Sequence, residues 1–292
     1  MRSTLYIGPA GWSYPDWEGP VYPPGAGIDR LRFIARYFNC VELNSSFYRT
    51  PSPKIVRSWA ERIGYFEHFH LTVKVLKKFT HLREFDRDGL LEFIDRFAPI
   101  EDAGRLGAFL LQFPWSFRND LSNLEYLQKV AEVFRGRPVV VEVRHGSWKI
   151  PETEEFFRNN GLAFCNIDQP VIGDSIAPSN IVTREDVGYI RLHGRNYDNW
   201  FKTDAGRDAR YDYLYDPEEL AAWKSRAISM LGKVRNLFII TNNHFQGQAL
   251  VNGFQLSSMI KGAGVKMPSS LVRSYPSLED YLDRSVEDLD LS

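Results

Sequence analysis

Short runs of β-favouring residues recur along this chain, and most close on a polar side chain before a helical pattern begins. The runs are Cys40-Val41-Glu42-Leu43-Asn44, Leu71-Thr72-Val73-Lys74, Phe109-Leu110-Leu111-Gln112, Val139 to Arg144, Phe164-Cys165-Asn166-Ile167-Asp168, Tyr189-Ile190-Arg191-Leu192-His193 and Phe238 to Asn242. Leu5-Tyr6-Ile7-Gly8 opens the series without the polar ending. Strands alternating with helices in this way specify an α/β fold, a (β/α)8 TIM barrel of eight parallel strands, with chemistry at the carboxyl ends of the strands. The length of 292 residues suits one such barrel, and the reading is a single domain over residues 1–292.

Helical stripes fall between the runs. Leu31, Ile34, Ala35 and Phe38 share a face behind a capping Asp29, and Leu90, Leu91, Ile94 and Phe97 share another. Asp216-Pro217-Glu218-Glu219 starts a helix with a cap, a proline at the first position and acids in the first turn. Two long loops stand out. The one after the first strand, Pro9 to Gly27, carries Trp12, Tyr14, Trp17 and Tyr22. The one after the seventh, Gly194 to Tyr215, carries Tyr197, Trp200, Phe201, Tyr211 and Tyr213 and is read as a lid or a packed surface loop. The acidic tail from about Ser277, with Leu278, Tyr281, Leu282, Val286 and Leu289, is expected to dock as a helix or to serve as an interaction tail.

Side chains alternate along a strand, and in a barrel the set facing the helices is apolar. With Val139, Val141 and Val143 facing the helices, Val140, Glu142 and Arg144 turn inward. The same rule turns in Cys40, Glu42, Asn44, Thr72, Lys74, Gln112, Asn166, Asp168, Arg191, His193 and Asn242. The inward acids Glu42, Glu142 and Asp168 then balance the inward cations Lys74, Arg144 and Arg191, which weighs against a divalent-metal site; none is expected. Glu42 and Glu142 are the candidate general bases, with Asp168 in the same catalytic set, and His193 is a candidate proton shuttle. Lys74, Arg144 and Arg191 suit an anionic group or a developing oxyanion. Asn44, Gln112 and Asn242 suit hydroxyl or amide recognition, Tyr14, Tyr48 and Trp12 suit a sugar ring or base, and His81 and His145 are expected to flank the mouth.

Several of these segments together resemble the DUF72, or YecE-like, family. They include Gly11-Trp12-Ser13-Tyr14-Pro15, Phe38 to Tyr48 with Pro51, Val73-Lys74 with Thr80-His81, Leu111-Gln112-Phe113-Pro114, Val141 to His145 with Ser147-Trp148, Arg191-Leu192-His193-Gly194, and Asn242-Asn243. The resemblance runs in order from the first strand to the last helix and implies a TIM barrel; it brings no activity with it. The chain departs from the family pattern at Pro9-Ala10, at Pro114-Trp115 and at Thr241.

The net charge of −1 gives no global pull toward nucleic acid or anionic membrane. No CxxC pair, nucleophile elbow, phosphate loop, dinucleotide fingerprint or HExxH motif occurs, so no cofactor is expected. The start at Met1-Arg2-Ser3-Thr4 leaves no room for a signal peptide, no apolar stretch reaches membrane-spanning length, and a cytoplasmic location is expected. Three functional readings follow. The first is an enzyme, isomerase- or hydrolase-like, working by acid–base chemistry on a small polar or anionic ligand, sugar-like or phosphorylated. The second is a metal-assisted phosphoester hydrolase on nucleic acid, with Glu142, Asp168 and His193 as ligands; the charge balance disfavours it. The third is a non-catalytic binding protein that uses the acidic tail.

Overall fold

A computed structural model describes residues 3–25, 27–200, 202 and 209–285. Eight strands run in chain order: β1 (Thr4–Pro9), β2 (Cys40–Leu43), β3 (His70–Lys74), β4 (Leu106–Gln112), β5 (Val139–Glu142), β6 (Ala163–Asp168), β7 (Val187–Leu192) and β8 (Asn236–Thr241). All pair in parallel, in the order β1-β8-β7-β6-β5-β4-β3-β2. The helices are α1 (Arg30–Ala35), α2 (Pro53–Ile63), α3 (Lys77–Thr80), α4 (Arg87–Asp95), α5 (Ala98–Asp102), α6 (Leu121–Val133), α7 (Pro151–Asn159), α8 (Pro217–Leu231), α9 (Gln248–Lys261) and α10 (Ser269–Ser274). This is the TIM barrel that the strand series specifies. No helix among the described residues is long and apolar enough to cross a membrane.

The caps are local and follow from side-chain chemistry. Asp29, Ser52, Asp86 and Asp120 each accept a backbone N–H of the first turn of α1, α2, α4 and α6. Asp216 and Glu219 complete a reciprocal capping box at α8.

The ring closes at the β1–β2 seam, where an isolated bridge joins Ala10 to Glu42. Asn39 supplies backbone-like bonds there: its Oδ1 accepts from Ile7 N at 2.8 Å and its Nδ2 donates to Leu5 O at 2.8 Å. Gly8 permits the approach, since a Cβ at that position would lie 1.8 Å from the Cys40 carbonyl oxygen.

The barrel floor is aromatic. Tyr6 stacks on Phe238 at 4.6 Å, and Tyr189 lies over Phe238 at 6.0 Å. Polarity increases from there toward the carboxyl ends. At the start of the tail, Pro276–Tyr281 forms a 3-10 segment that buries Leu278. Val286 and Leu289 lie outside the described residues.

Candidate active site at the barrel mouth

A largely buried ion-pair network lies beneath the mouth. Arg191, from β7, spans it: Nη2 donates to Glu42 Oε1 at 2.7 Å, and Nη1 donates to Glu142 Oε2. Glu42 also accepts from the Tyr189 hydroxyl at 3.0 Å, and that hydroxyl lies 2.8 Å from Thr72 Oγ1. The other Glu142 oxygen accepts from Arg144 Nε at 2.8 Å and lies 3.2 Å from His193 Nε2. Asn242 Nδ2 is 2.9 Å from His193 Nδ1. A neutral imidazole carrying its proton on Nε2 donates to Glu142 and accepts from Asn242 at Nδ1, while Arg144 Nη2 stands 3.3 Å from the same Nε2.

The electrostatics follow from burial and charge. Burial alone would raise the Glu142 pKa, but Arg191, Arg144 and His193 hold it well below the usual carboxylate range. Burial lowers His193 to about 3, with Arg144 and Arg191 also lowering it against the opposing pull of Glu142. His193 is therefore neutral at neutral pH in this state. Burial, reinforced by Arg191 and Arg144 against the pull of Glu42 and Glu142, lowers Lys74 to about 7.

Above the network opens a cavity of about 500 Å³. Lys74, Arg144 and Arg191 reach its wall; Glu42, Glu142 and His193 lie beneath it. The Lys74 ammonium sits 4.1 Å from the centre of the Phe47 ring and makes no hydrogen bond or ion pair among the described residues. Asn44, Gln112 and Asn242 line the cavity, and Asn44 Oδ1 is buried without a partner. Tyr14 contributes an aromatic wall and stacks on His244 at 4.3 Å. Tyr48, 57% exposed, stands at the rim. From the long insertion, Tyr211 joins the wall and the Trp200 ring lies 5.6 Å from the Arg144 guanidinium, so described residues of that loop reach the mouth. Phe201 lies outside the described residues.

Two expected site residues fall elsewhere. Asp168 does not turn inward. Its carboxylate accepts from Arg195 Nε at 3.0 Å and from Trp223 Nε1 of α8 at 3.1 Å, which places it in the helix layer. Burial raises its pKa against the opposing pull of Arg195. Asn166 shares that phase, bonding Ser179, Ile181 and Met230 of α8. Cys165 takes the inward position, within electrostatic reach of Glu142 and Arg191. The polar outward face exists because the segment after β6 and α8 supply hydrogen-bonding groups there instead of an apolar cover. Through Arg195, which also binds Glu219, Asp168 ties the start of the insertion to α8.

His145 also leaves the site. Its Nδ1 accepts from Ser147 N at 3.1 Å, capping the short 3-10 turn Gly146–Trp148, and its ring packs edge-on against Trp115. His81 packs against Phe47 at 4.8 Å, behind Lys74, where burial and the Lys74 charge lower it to about 4.

Removing Asp168 from the interior upsets the charge balance read from the sequence. Among the described residues, Lys74, Arg144 and Arg191 now face Glu42 and Glu142 alone, and no carboxylate side chain reaches the cavity wall. Among the described residues, no three His, Cys, Asp or Glu side chains form a group able to hold a metal ion. The set Glu142, Asp168 and His193 is divided between two faces of the sheet.

Sequence reasoning missed His244 and the role of Trp59. His244 lies past the end of β8, at the start of the 3-10 turn Phe245–Gly247, where strand alternation gives no direction. Trp59 reads as a core residue of α2 and does pack edge-on against Trp12, but it also lines the cavity.

The fold and this mouth define a TIM-barrel protein whose carboxyl-end cavity has a cationic wall over a buried ion-pair network. The chain belongs to the family described as "Protein of unknown function DUF72", whose model matches residues 6–275. It is 31% identical to the UPF0759 protein YunF of Bacillus subtilis, over 88% of this chain and 94% of that one. It is 34% identical to the UPF0759 protein YecE of Escherichia coli K12, over 58% of each. Among solved structures, a DUF72 family protein from Thermotoga maritima shares 33% identity at a TM-score of 0.78, covering 88% of this chain and 99% of that one.

Proposed function

We propose that this protein is an enzyme that binds a small, polar, anionic substrate, sugar-like or phosphorylated, in the barrel mouth and acts on it by acid–base chemistry. One observation carries the reading: among the described residues, the charged groups on the cavity wall are Lys74, Arg144 and Arg191, while Glu42 and Glu142 are buried behind them. A purely structural network would be served by a neutral interior, because bulky aliphatics fill a barrel at lower desolvation cost.

The roles divide by chemistry. Arg144 presents a planar guanidinium fixed by Glu142 and suits a carboxylate or phosphate. Asn44, Gln112 and Asn242 offer amides to hydroxyls, and Tyr14 with His244 gives a flat wall for a ring. Glu42 and Glu142 are committed to arginines and act as positioning residues. Proton transfer falls to Lys74, which titrates near neutral pH and stands at the wall.

A thermal-shift panel of sulfate, phosphate, sugars, sugar phosphates and nucleotides tests the reading. Phosphorylated or carboxylated ligands should raise Tm in wild type and not in Arg144→Gln. Equal shifts in both proteins, or no shift with any anion, would remove it.

A further inference from the structure

We infer that Lys74 is a covalent catalyst, forming an imine with the aldehyde or ketone group of a substrate whose carboxylate or phosphate is held by the neighbouring arginines. The inference rests on the anion-binding reading above and specifies the reacting group of the same site.

Among the described residues, Lys74 stands outside the ion pairs that engage the other charges of the mouth. Arg191 is engaged by both Glu42 and Glu142, and Arg144 by Glu142. The two carboxylates are thereby occupied, and Lys74 has no ion pair within the described residues. Its ammonium meets the Phe47 ring on one side and the cavity on the other. A lysine placed to hold the network together would contact a carboxylate; this one projects from the carboxyl end of β3 into the space a substrate fills.

The surroundings also favour the neutral amine. Burial and the nearby Arg191 disfavour a further positive charge, so a substantial fraction of Lys74 carries a lone pair at neutral pH. A desolvated amine beside another cation is one of the recognised ways to activate lysine as a nucleophile. The arginines cannot play this part, because guanidinium stays protonated. His193 is buried beneath the wall with both ring nitrogens engaged.

The step balances without a further reactant. The Lys74 Nζ lone pair forms a bond to the carbonyl carbon as the C=O π pair moves to oxygen. One amine proton passes to that oxygen, giving a carbinolamine. The nitrogen lone pair then expels the hydroxyl, which takes a proton from solvent and leaves as water. A protonated imine remains, and it makes the adjacent C–H more acidic. The substrate class is a small 2-oxo acid, or an aldehyde or ketone phosphate.

The experiment uses the intact protein with glyoxylate or glycolaldehyde phosphate as probes and cyanoborohydride as the trap, followed by peptide mass mapping. Lys74 should be modified on the order of tenfold to fiftyfold faster than surface lysines, because its lower pKa raises the neutral fraction more than it lowers nucleophilicity. Trapping should increase with pH through about 7 and be slowed by sulfate. Lys74→Arg and Lys74→Met, checked for folding by circular dichroism, should lose the adduct. Adducts spread over exposed lysines with Lys74 unmodified in wild type would overturn the inference even if a variant failed to fold. Sulfate stabilisation measured in parallel separates the two readings. Stabilisation without trapping at Lys74 removes the imine and keeps the anion site. Trapping without stabilisation keeps the imine and removes the arginine anchor.

Discussion

Replacing Glu142 with glutamine keeps shape and volume while removing one charge from the centre of the network. In the wild type one carboxylate oxygen accepts from Arg191, and the other accepts from Arg144 and lies 3.2 Å from His193 Nε2. An amide cannot serve both sides. Whichever way it is turned, its NH2 faces a donor, either the Arg191 guanidinium or the Arg144 and His193 pair. Arg191, fully buried, is left with Glu42 as its sole carboxylate. Removing one partner of a buried ion pair costs about 3–5 kcal/mol, which for a chain of this size lowers Tm by on the order of 10 °C. Urea denaturation at pH 7 reads the loss directly. The pH dependence gives an independent check. Because Glu142 is held below its ordinary value of 4.5, its contribution is present above that pH and is lost as pH falls through the lower folded value. His193 adds to the acid loss, since the unfolded imidazole binds a proton below its ordinary 6.5 while the folded one stays neutral down to about 3. Glu142→Gln should therefore show a shallower loss below about pH 4.5 than wild type. A destabilisation under about 1 kcal/mol with an unchanged acid limb would refute the network as drawn.

Other consequences follow from the same geometry. In wild type, the unfolded Lys74 keeps its proton to about 10.5 and the folded one releases it near 7, so stability should rise with pH across that interval; Lys74→Met should remove that rise, measured by denaturant melts at fixed ionic strength. Sulfate, whose charge is constant over this range, should bind wild type less tightly as pH rises through about 7, by calorimetric titration, with Lys74→Met showing a flat profile. Asp168→Asn should leave sulfate affinity unchanged, because the carboxylate faces α8; lost binding would place β6 in the opposite phase. Asn39→Ala strands the part-buried Ile7 N–H and Leu5 carbonyl at the barrel seam and should cost about 1–3 kcal/mol in total, with faster amide exchange at Ile7 as the local readout.

The barrel was legible because its signal is periodic and local. Alternation in β5, with valines at 139, 141 and 143, forces Glu142 and Arg144 inward, and the same arithmetic placed Glu42, Lys74, Arg191 and His193 correctly. It failed at β6, where the outward side chains Asn166 and Asp168 are polar because they bond Met230 and Trp223 of α8. When both faces are covered, polarity does not report direction, because the outer cover can itself be polar. His145 was misplaced for a related reason: it lies beyond the strand, where the chain turns and the period of two no longer applies.

Sequence by itself determined the strand count, the parallel topology and most of the residues that gather at the mouth, since side-chain alternation and helix periodicity are properties of consecutive residues. Tertiary structure decided the sign of the cavity. That sign depends on which carboxylates are consumed by which arginines across strands far apart in the chain, and on the packing of α8 that draws Asp168 away. The Lys74 amine owes its character to the same cause: its pKa is set by the burial and by the charges of neighbours from other strands, which no local pattern encodes.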